Sequence, residues 1–281
     1  MKKSAYLSEE DLEDLALDRL KEIGYQVLKS ESYTKANSEI DAERGKDLEN
    51  SILKPRLLAS LKKLNPGYSD KIYKSAYRQF VKLADNPDLM INNHQLHKLI
   101  IGGAKVKVSE KGQQRTITLY PIDFENIDNN DLLATDQFTS KYGDNSRRMD
   151  VSIFINGLPL VTFELKNMSN EKTTIEDAYN QLQTYKAEIP NYMQYNEILI
   201  ISDGVNAQAG TLTSGFDRFM RWRASKQVSD LSDLQLETMI RYMLNPKDLL
   251  NLIQNFIIFE TNGDKTIKIL AAYHQYYMVN K

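Results

Sequence analysis

Apolar residues recur with a helical period along the first third of the chain. In "LSEEDLEDLALDRLKEIGYQVL" they return every three or four positions between Ser8, a good N-terminal cap, and Gly24, a C-terminal stop. This pattern predicts a first helix that leads into a short strand at residues 25–28. The helical period continues over residues 40–103, with breaks at the turn signals "NPG" and "DNP". We interpret this second stretch as a helical insertion.

The middle of the chain has the period of strands. "VKVSEKGQQRTITLYPIDF" alternates about Lys111-Gly112 and predicts a hairpin. The polar "FENIDNNDLLATDQFTSKYGDNS", residues 124–146, predicts a loop. The next stretch, "RRMDVSIFINGLPLVTFELKN", has Asn156-Gly157 between two β-branched runs, which is a strong hairpin signal. Two adjacent strands are therefore expected there.

Helical patterns return after this hairpin. "TTIEDAYNQLQTYKAEIP" has Thr173 and Glu176 at the spacing of a capping box and an apolar stripe behind them, which predicts a helix. "NEILIISDG" predicts a buried strand. The remainder from Phe216, including "FDRFMRWRASK" and "PKDLLNLIQNFIIFE", predicts mostly helices.

Three charged residues interrupt the apolar runs of the Asn156-Gly157 hairpin. Side chains alternate along a strand, so Glu164 and Lys166 share one face. With a three-residue loop, residues 156–158, Asp150 lies directly opposite Glu164, whereas a two- or four-residue loop shifts the pairing by one residue. Two carboxylates this close repel each other unless a cation lies between them.

This arrangement fits the metal-dependent hydrolysis of phosphodiesters. Mg²⁺ takes oxygen ligands, uses one or two protein carboxylates and keeps several waters. Lys166 beside the ion can position or help to deprotonate a water, while the metal stabilises charge on a phosphate oxygen. The alternative, three residues solvated on the wet side of a half-covered sheet, is the commoner meaning of so loose a pattern. The apolar residues on both sides of Glu164 favour the metal site, because unpaired charges are rare in strands covered on both faces.

Polar residues next to the hairpin are candidates for contacts with DNA. Gln181 and Tyr185 are four residues apart on the predicted helix and project from one face, where Tyr185 either reaches the site or belongs to the core. Arg147 and Arg148 directly precede the first strand of the hairpin, and phosphate contact and simple solvation are equally compatible with their position. The residues alone leave both alternatives open.

Composition narrows the class of protein. Of the 281 residues, 41% are hydrophobic and 26% are charged, which is ordinary globular content and excludes disorder. The absence of cysteine excludes disulfide scaffolds and thiolate metal sites. No secretory signal or membrane span is indicated, so we expect a cytoplasmic protein with no membrane partner. The 36 basic residues are balanced by 38 acidic ones, so a DNA substrate implies that something else delivers the DNA.

Several of these segments together resemble one known family. "RRMDVSIFINGLPLVTFELKN", "EDAYNQLQTYKAEIP" and "ILIISDG" are similar to the nuclease region of the R (restriction and motor) subunit of type I restriction-modification enzymes. "LNPG", "YPIDFENIDNNDLLATDQF" and "FDRFMRW" extend the resemblance over nearly the whole chain. It implies a PD-(D/E)xK restriction-endonuclease-like core, an α/β fold with a central mixed β-sheet flanked by helices. Met149 stands here in place of the family's proline.

The resemblance also implies roles for residues of the hairpin. Asp150, Glu164 and the main-chain carbonyl of Leu165 are implied to be ligands of Mg²⁺, for which Mn²⁺ can substitute. Lys166 is implied to be the catalytic lysine. A metal-activated water is expected to attack the phosphodiester.

Accessory residues follow from the same resemblance. Gln181 and Tyr185 match the accessory pair of the family, and Arg147 and Arg148 are further candidates for contact with DNA. Nucleases of this class often add a glutamate from the first helix, for which we choose Glu13. A solvated acidic face is the alternative for this helix, and its competing acids are Glu9, Glu10 and Asp14.

The end of the chain resembles the start of a motor. "KTIKILAAYHQYYMVNK" is similar to the lead-in to the family's first motor domain, where an adenine-reading glutamine, here Gln275, precedes the ATP-binding loop. No GxxxxGK[ST] follows, so ATP is expected to bind fully only to the full-length protein. We expect an endonuclease domain over residues 1–255, with the insertion at about 40–103 and the catalytic core at about 117–204, then a linker and motor start at 256–281.

The resemblance implies endonucleolytic cleavage of double-stranded DNA, coupled in the full protein to ATP-driven translocation. Methyltransferase (M) and specificity (S) subunits are the implied partners. One alternative is a non-catalytic docking module that couples the motor to partner subunits. Another is a stand-alone repair or junction nuclease with the same core, which the motor-like tail disfavours.

Overall fold

The structure is a computed structural model that describes residues 8–30, 38–45, 47–110, 113–166, 174–224, 234–263 and 265–280. Its helices are α1 (Glu9–Glu22), α2 (Ser38–Arg44), α3 (Lys54–Leu64), α4 (Asp70–Val81), α5 (Leu89–Gly102), α6 (Ile175–Glu188), α7 (Pro190–Met193), α8 (Gln235–Met243), α9 (Pro246–Asn255) and α10 (Tyr273–Val279). Helices α1 to α5 confirm the predicted helical character of the first hundred residues. Over the described ranges, no helix is long and apolar enough to cross a membrane.

Strands make up the rest of the regular structure. They are β1 (Gln26–Leu28), β2 (Ala104–Glu110), β3 (Gln113–Leu119), β4 (Leu132–Tyr142), β5 (Asn145–Ile155), β6 (Leu158–Leu165), β7 (Ile198–Ser202), β8 (Ala207–Gly210), β9 (Ile257–Asn262) and β10 (Lys265–Leu270). A six-stranded sheet has the order β1-β4-β5-β6-β7-β8, with β1–β4 and β6–β7 parallel and the other pairs antiparallel. Hairpins β2–β3 and β9–β10 form separate two-stranded sheets. The predicted α/β fold with a central mixed sheet is confirmed.

Helices cover both faces of the central sheet. On one face, here called the α1 face, Leu12 of α1 shares a core with Val151 and Phe163. On the opposite face, the α6 face, Leu182 of α6 shares a second core with Ile201. Strand β6 is buried along its whole length. The charged residues of the β5–β6 hairpin are therefore not on the wet side of a half-covered sheet.

A two-residue turn joins β5 to β6. Ile155 pairs with Leu158, so Asn156 and Gly157 form the turn, with φ angles of 53° and 82°. Gly157 also lies against the start of α3, where an added Cβ would come within 2.6 Å of the Leu53 carbonyl oxygen. The turn therefore requires glycine both for its backbone angle and for the close approach of α3.

A β-bulge at Leu160 sets the register of the candidate acids. The β5–β6 pairing shifts by one residue across Leu160, which has no partner of its own in the ladder. Beyond the bulge Val151 pairs with Phe163, and the same register continued by one residue puts Asp150 opposite Glu164. Of the loop lengths that the sequence leaves open, the two-residue loop is the one observed, in place of the three-residue loop. The bulge adds one residue to β6, which makes up for the shorter turn. Asp150 therefore faces Glu164, as it would with a three-residue loop and no bulge.

Residues 124–146 contain the long strand β4 and are not the loop that their polar composition predicts. The strand is polar but buried, because its side chains have partners on distant elements. Asp136 accepts hydrogen bonds from the Ser30 backbone N–H at 2.7 Å and from the Ser30 hydroxyl at 2.6 Å. Because a local sequence pattern does not reveal such distant partners, the polar composition of this strand predicts a loop.

The N-terminal cap of α6 lies one position after the predicted one. The backbone N–H of Thr174 donates to the Asp177 carboxylate at 2.6 Å, in place of a cap by Thr173 and Glu176. Thr173 lies outside the described residues, as does the predicted Lys111-Gly112 turn. The strands β2 and β3 that flank this turn confirm the predicted hairpin.

Two helical predictions in the last quarter of the chain are wrong. Residues 216–224 form a short 3₁₀ turn, Phe216–Arg218, followed by a bridge between Met220 and Ala209. Helix α9 ends at Asn255, so that "FIIFE" begins β9. Their partners are close in the sequence, because Met220 bridges to Ala209 and β9 pairs with the next strand, β10. A short apolar run such as "FIIFE" fits a helix and a strand equally, so periodicity alone does not separate the two.

Candidate active site

Asp150, Glu164 and Lys166 form one cluster. Asp150 lies in β5, Glu164 in the adjacent β6, and Lys166 directly follows β6. The Lys166 ammonium donates to Glu164 Oε1 at 2.5 Å. The backbone N–H of Leu165 donates to Asp150 Oδ2 at 2.6 Å. Since Phe163 and Leu165 belong to the α1 face, the alternation of side chains directs Glu164 and Lys166 to the α6 face.

Burial governs the protonation of this cluster. Glu164 is fully buried, and burial, reinforced by the neighbouring Asp150, raises the pKa of its carboxyl well above the ordinary value. Burial also raises the pKa of Asp150 to about 7, and the hydrogen bond from the Leu165 N–H and the charge of Lys166 limit this rise. Burial lowers the pKa of Lys166, but attraction by Glu164 outweighs this effect and the net pKa is raised. Two carboxylates here favour protons or a cation over two bare charges.

The main-chain carbonyl of Leu165 points toward β5. The N–H of Lys166 donates to the Ser202 carbonyl of β7 at 2.8 Å. In a trans peptide the C=O and the following N–H point in opposite directions, and no cis peptide occurs in the described chain. The Leu165 carbonyl is therefore on the side of Asp150, where the predicted ligand set requires it.

Gln181 and Tyr185 project from α6 toward this cluster. The Gln181 amide donates to the Tyr185 hydroxyl at 2.6 Å, and the hydroxyl donates to the main-chain carbonyl of Arg148 at 3.3 Å. Tyr185 is only 2% exposed, and burial, with the charges of Glu164 and Asp150, raises the pKa of its hydroxyl. Tyr185 is thus both a core residue and a neighbour of the acids.

Arg147 and Arg148 lie at the edge of the site. Arg147 forms an ion pair with Glu188 near the end of α6. It also lines, with Gln181 and Tyr185 among other residues, a cavity of about 330 Å³. The side chain of Arg148 is exposed. Contact of these guanidinium groups with phosphate stays a prediction.

Glu13 is the acid of α1 that the fold buries. It is 2% exposed, whereas Glu10 is exposed and Asp14 binds Lys29 at 2.6 Å. Burial, with the nearby charge of Asp150, raises the pKa of Glu13 to about 9. The structure therefore brings the buried Glu13 next to the predicted site, and Glu9 of the same helix also lies near enough for its charge to raise the pKa of Asp150.

Gln137 is a neighbour of the site that the sequence did not indicate. Its side-chain amide donates to Glu13 Oε2 at 2.6 Å, and the residue is 3% exposed. It lies in the segment predicted as a loop, and a single glutamine there carries no signal of its own. Only the contact between α1 and β4 identifies it.

Several buried oxygen atoms lack hydrogen-bond partners within the described chain. They include Glu164 Oε2, Glu13 Oε1 and Gln137 Oε1. Buried acceptors normally have a donor, a water or an ion beside them. No group of three or more His, Asp or Glu among the described residues is placed to hold a metal. Asp150, Glu164 and the Leu165 carbonyl offer oxygen atoms of the kind that Mg²⁺ takes as ligands, and binding of this ion stays a prediction.

The raised pKa values of the acids predict a pH-dependent stability of the metal-free protein. Between the unfolded pKa of Glu13, near 4.5, and its folded pKa of about 9, the folded state holds a proton that the unfolded state has released. The free energy of unfolding therefore falls as pH rises through this window. At about 1.4 kcal/mol per pKa unit, the loss is on the order of several kcal/mol. Urea unfolding with a chelator present, at pH values across the window, measures it.

Two variants assign this pH dependence. Glu13→Gln removes one of the acids with a raised pKa and is expected to make the slope shallower, while Asp150 and Glu164 still contribute to it. Glu10→Gln, which removes an exposed acid from the same helix, is expected to preserve it. A free energy of unfolding that does not change across the window in wild type contradicts the burial of these acids.

Gln275 lies apart from the acidic cluster. Its side-chain oxygen accepts the Ala272 backbone N–H at 2.9 Å, at the start of α10. It lines a cavity of about 400 Å³ with Arg218 and Lys268 among other residues, and none of the candidate catalytic residues lines this cavity. The nucleotide role of Gln275 stays a prediction.

Comparison with known proteins agrees with the resemblance found in the sequence. The family model of the type I restriction enzyme R protein N terminus matches residues 6–218. The endonuclease subunit of the type I restriction enzyme HindI from Haemophilus influenzae is 35% identical, over 98% of this chain and 26% of that protein. A relative from Methanocaldococcus jannaschii is 31% identical, over 100% of this chain and 28% of that protein.

A third relative extends the set. The endonuclease subunit of the type I restriction enzyme EcoprrI from Escherichia coli is 25% identical, over 96% of this chain and 79% of that sequence. The chain spans only about a quarter of the first two relatives. Since the family model covers well over half of the chain, this protein belongs to the family of type I restriction enzyme R protein N-terminal regions.

Proposed function

We propose that this chain is the DNA-cleaving region of a type I restriction enzyme R subunit, and that it hydrolyses phosphodiesters of double-stranded DNA with Mg²⁺. One observation carries the proposal: Asp150, Glu164 and Lys166 are held together in a covered sheet. Adjacent buried carboxylates destabilise a fold that holds no cation between them. Their placement is therefore explained by a function that needs the cation.

The proposed ligands of Mg²⁺ are Asp150, Glu164 and the carbonyl oxygen of Leu165, and Mn²⁺ is expected to substitute. When bound, the ion supplies positive charge that stabilises a phosphate oxygen and lowers the pKa of a water. The ammonium of Lys166, held at 2.5 Å by Glu164 Oε1, is positioned to orient that water or to donate to the phosphate. Because Lys166 is mostly buried, its orientation is fixed before DNA arrives.

The residues around the cluster are proposed to orient DNA. Gln181 and Tyr185 form one hydrogen-bonded unit on α6, so they limit how closely the backbone of the substrate approaches the acids. Arg147 and Arg148 are proposed to contact phosphates next to the cleaved bond, where charge-assisted contacts would position DNA without reading its sequence.

The remaining activities belong to the larger protein. We propose that a motor following this region translocates DNA with ATP, and that M and S subunits recognise the target. The relatives named as endonuclease subunits and the short span of this chain on two of them support this division. The near-balance of 36 basic and 38 acidic residues also fits a nuclease to which DNA is delivered.

Titration with Mn²⁺ tests the metal site without requiring activity. Wild type is expected to bind Mn²⁺ weakly, because substrate phosphate and water supply part of the coordination shell. Glu164→Gln removes one charge at nearly constant shape and is expected to lower the affinity at least about tenfold. Calorimetry, or the relaxation of water protons by Mn²⁺, measures both constants.

A control variant tests whether the loss of any negative charge lowers the affinity for Mn²⁺. Glu10→Gln removes one negative charge from the exposed face of α1 and is expected to leave the affinity unchanged. Equal Mn²⁺ affinity of wild type and Glu164→Gln would contradict the proposed metal site. Metal binding without metal-dependent DNA cleavage in the assembled complex would favour the docking module instead.

A further inference from the structure

Gln137 has a backbone conformation that residues with side chains rarely adopt. Its φ is 54°, in the left-handed region. The neighbouring pairs of β4 and β5, Asp136 with Val151 and Phe138 with Met149, have the same register. Between them, the pair of Gln137 with Asp150 is missing. Conformations of this kind persist where the surrounding structure enforces them, and they concentrate at functional sites. The distortion therefore lies directly beside a proposed metal ligand.

At the missing pair of Gln137 and Asp150, the alternation of side chains between the two faces of the sheet is interrupted in both strands. Residues an even number apart in a strand lie on the same face. Ala134 and Phe138 of β4 nevertheless belong to the α1 face and the α6 face respectively. Val151 and Met149 of β5 are divided in the same way. At this point a side chain of the sheet can link α1 to the acids that face α6.

The Gln137 side chain forms such a link. Its Nε2 donates to Glu13 Oε2 at 2.6 Å. Both side chains are at least nine-tenths buried. The second oxygen of Glu13 and the amide oxygen of Gln137 have no hydrogen-bond partner in the part of the chain that the structure describes. A polar pair with two open acceptors is costly in a purely structural role.

Asn156 provides a contrast within the same sheet. It also has a positive φ, of 53°, but its side chain is fully used. Nδ2 donates to the Pro121 carbonyl at 2.7 Å, and Oδ1 accepts from the Asp131 N–H at 2.7 Å and from the Ser60 hydroxyl at 3.0 Å. The amide oxygen of Asn156 thus has hydrogen-bond donors, whereas that of Gln137 has none among the described residues.

We infer that Gln137 is a positioning residue of the acidic site: its amide holds the Glu13 carboxyl beside Asp150, where Glu13 orients water at the edge of the metal site. The inference rests on the proposed function. Glu13 acts through water because no three acids within the described residues are placed to bind one ion directly. Residues that orient the shell around a metal typically change affinity or activity about 10–100-fold when replaced.

A double-mutant cycle tests the link. Gln137→Met keeps the length of the side chain but removes the donor, and Glu13→Gln removes the carboxylate. Each is expected to lower Mn²⁺ affinity about tenfold, and the double variant is expected to bind no more weakly than either single variant. Such non-additivity is the signature of residues that act as one unit. Additive losses would overturn the inference.

Kinetics of the assembled enzyme provide a second measurement. Gln137 and Glu13 are not expected to touch DNA, so both variants are expected to lower kcat about tenfold or more with KM for DNA unchanged. A higher KM with unchanged kcat contradicts a role at the metal site.

Two glycine variants separate positioning from folding. Gln137→Gly removes the amide but suits the left-handed backbone, so its thermal stability is expected to be close to that of wild type while Mn²⁺ affinity falls. Asn156→Gly removes the satisfied amide and is expected to lower stability while Mn²⁺ affinity stays at the wild-type value. Wild-type Mn²⁺ affinity in Gln137→Gly would overturn the inference.

The outcomes also separate this inference from the proposed function. If Glu164→Gln abolishes Mn²⁺ binding while both Gln137 variants bind normally, the metal site stands and Gln137 is structural. If Glu164→Gln and wild type bind equally, the metal site itself is wrong.

Discussion

Replacing Glu164 by Gln is expected to lower DNA cleavage by the assembled enzyme by at least about 10³-fold. Asp150→Asn and Lys166→Met are expected to have effects of similar size, because all three residues belong to one cluster. The losses are not expected to add, since removing one member already disables the unit. ATP hydrolysis and translocation are expected to continue, because the catalytic cluster contains no residue of the motor. Cleavage of circular DNA and ATP hydrolysis, measured on the same preparations, separate the two activities.

Two controls accompany this experiment: the melting temperature of each variant, and a variant of the exposed acid Glu10. Glu164→Gln removes one of two repelling carboxylates but also the closest ion-pair partner of Lys166, which keeps the nearby charge of Asp150. The two effects oppose each other, so the melting temperature is expected to stay close to that of wild type. Glu10→Gln is expected to cleave normally. Loss of translocation in all three cluster variants, or near-normal cleavage in any of them, contradicts the assignment of the site.

Replacing Lys268 by Met is expected to lower the free energy of unfolding by about 3–5 kcal/mol. The ammonium of Lys268 lies 2.6 Å from Glu197 Oε2 and 3.0 Å from both Asn93 Oδ1 and the Asn196 carbonyl. Lys268 and Glu197 are both buried. Removing Lys268 leaves the Glu197 charge buried with the His97 ring, whose Nδ1 lies 3.2 Å from the same oxygen, as its remaining ionisable partner among the described residues. The loss of the ammonium is expected to cost more than the pair itself contributes. Denaturant unfolding at neutral pH measures the loss.

Companion variants identify the cause. The double change of Lys268→Met with Glu197→Gln removes both charges and is expected to recover much of the loss. Lys265→Met alters an exposed lysine of the same strand and is expected to change stability by less than about 0.5 kcal/mol. A Lys268→Met variant as stable as Lys265→Met contradicts the buried pair.

Lys268 also takes part in the contacts that attach β10 to the rest of the fold. Strand β10 is bound to the region after β8 by the Thr211 hydroxyl, which donates to the Lys268 carbonyl at 2.7 Å, and by the Lys268 N–H, which donates to Thr213 at 2.7 Å. The residues that resemble a lead-in to a motor are thus packed on the nuclease fold.

Much of the fold could be predicted because it depends on neighbours in the sequence. The 3.6-residue period and the caps predict α1, α6 and the helices before β2. The Asn156-Gly157 turn predicts the β5–β6 hairpin. Strand β4 could not be predicted, because its buried polar residues have partners about a hundred positions away, as with Asp136 and Ser30. The prediction of a helix over "FIIFE" fails for another reason: a short apolar run fits a helix and a strand equally, and here it pairs with β10.

The sequence by itself determined which chemical groups the site contains, since Asp150, Glu164 and Lys166 lie in two short runs joined by one turn. It also determined that Gln181 and Tyr185 share a face, because four residues make about one helical turn. Only the tertiary structure decided how these groups meet. The bulge at Leu160 sets the register, and the packing of α1 on β4 brings Glu13 to Gln137. Contacts of this kind arise when distant segments share a core, and no local period encodes them.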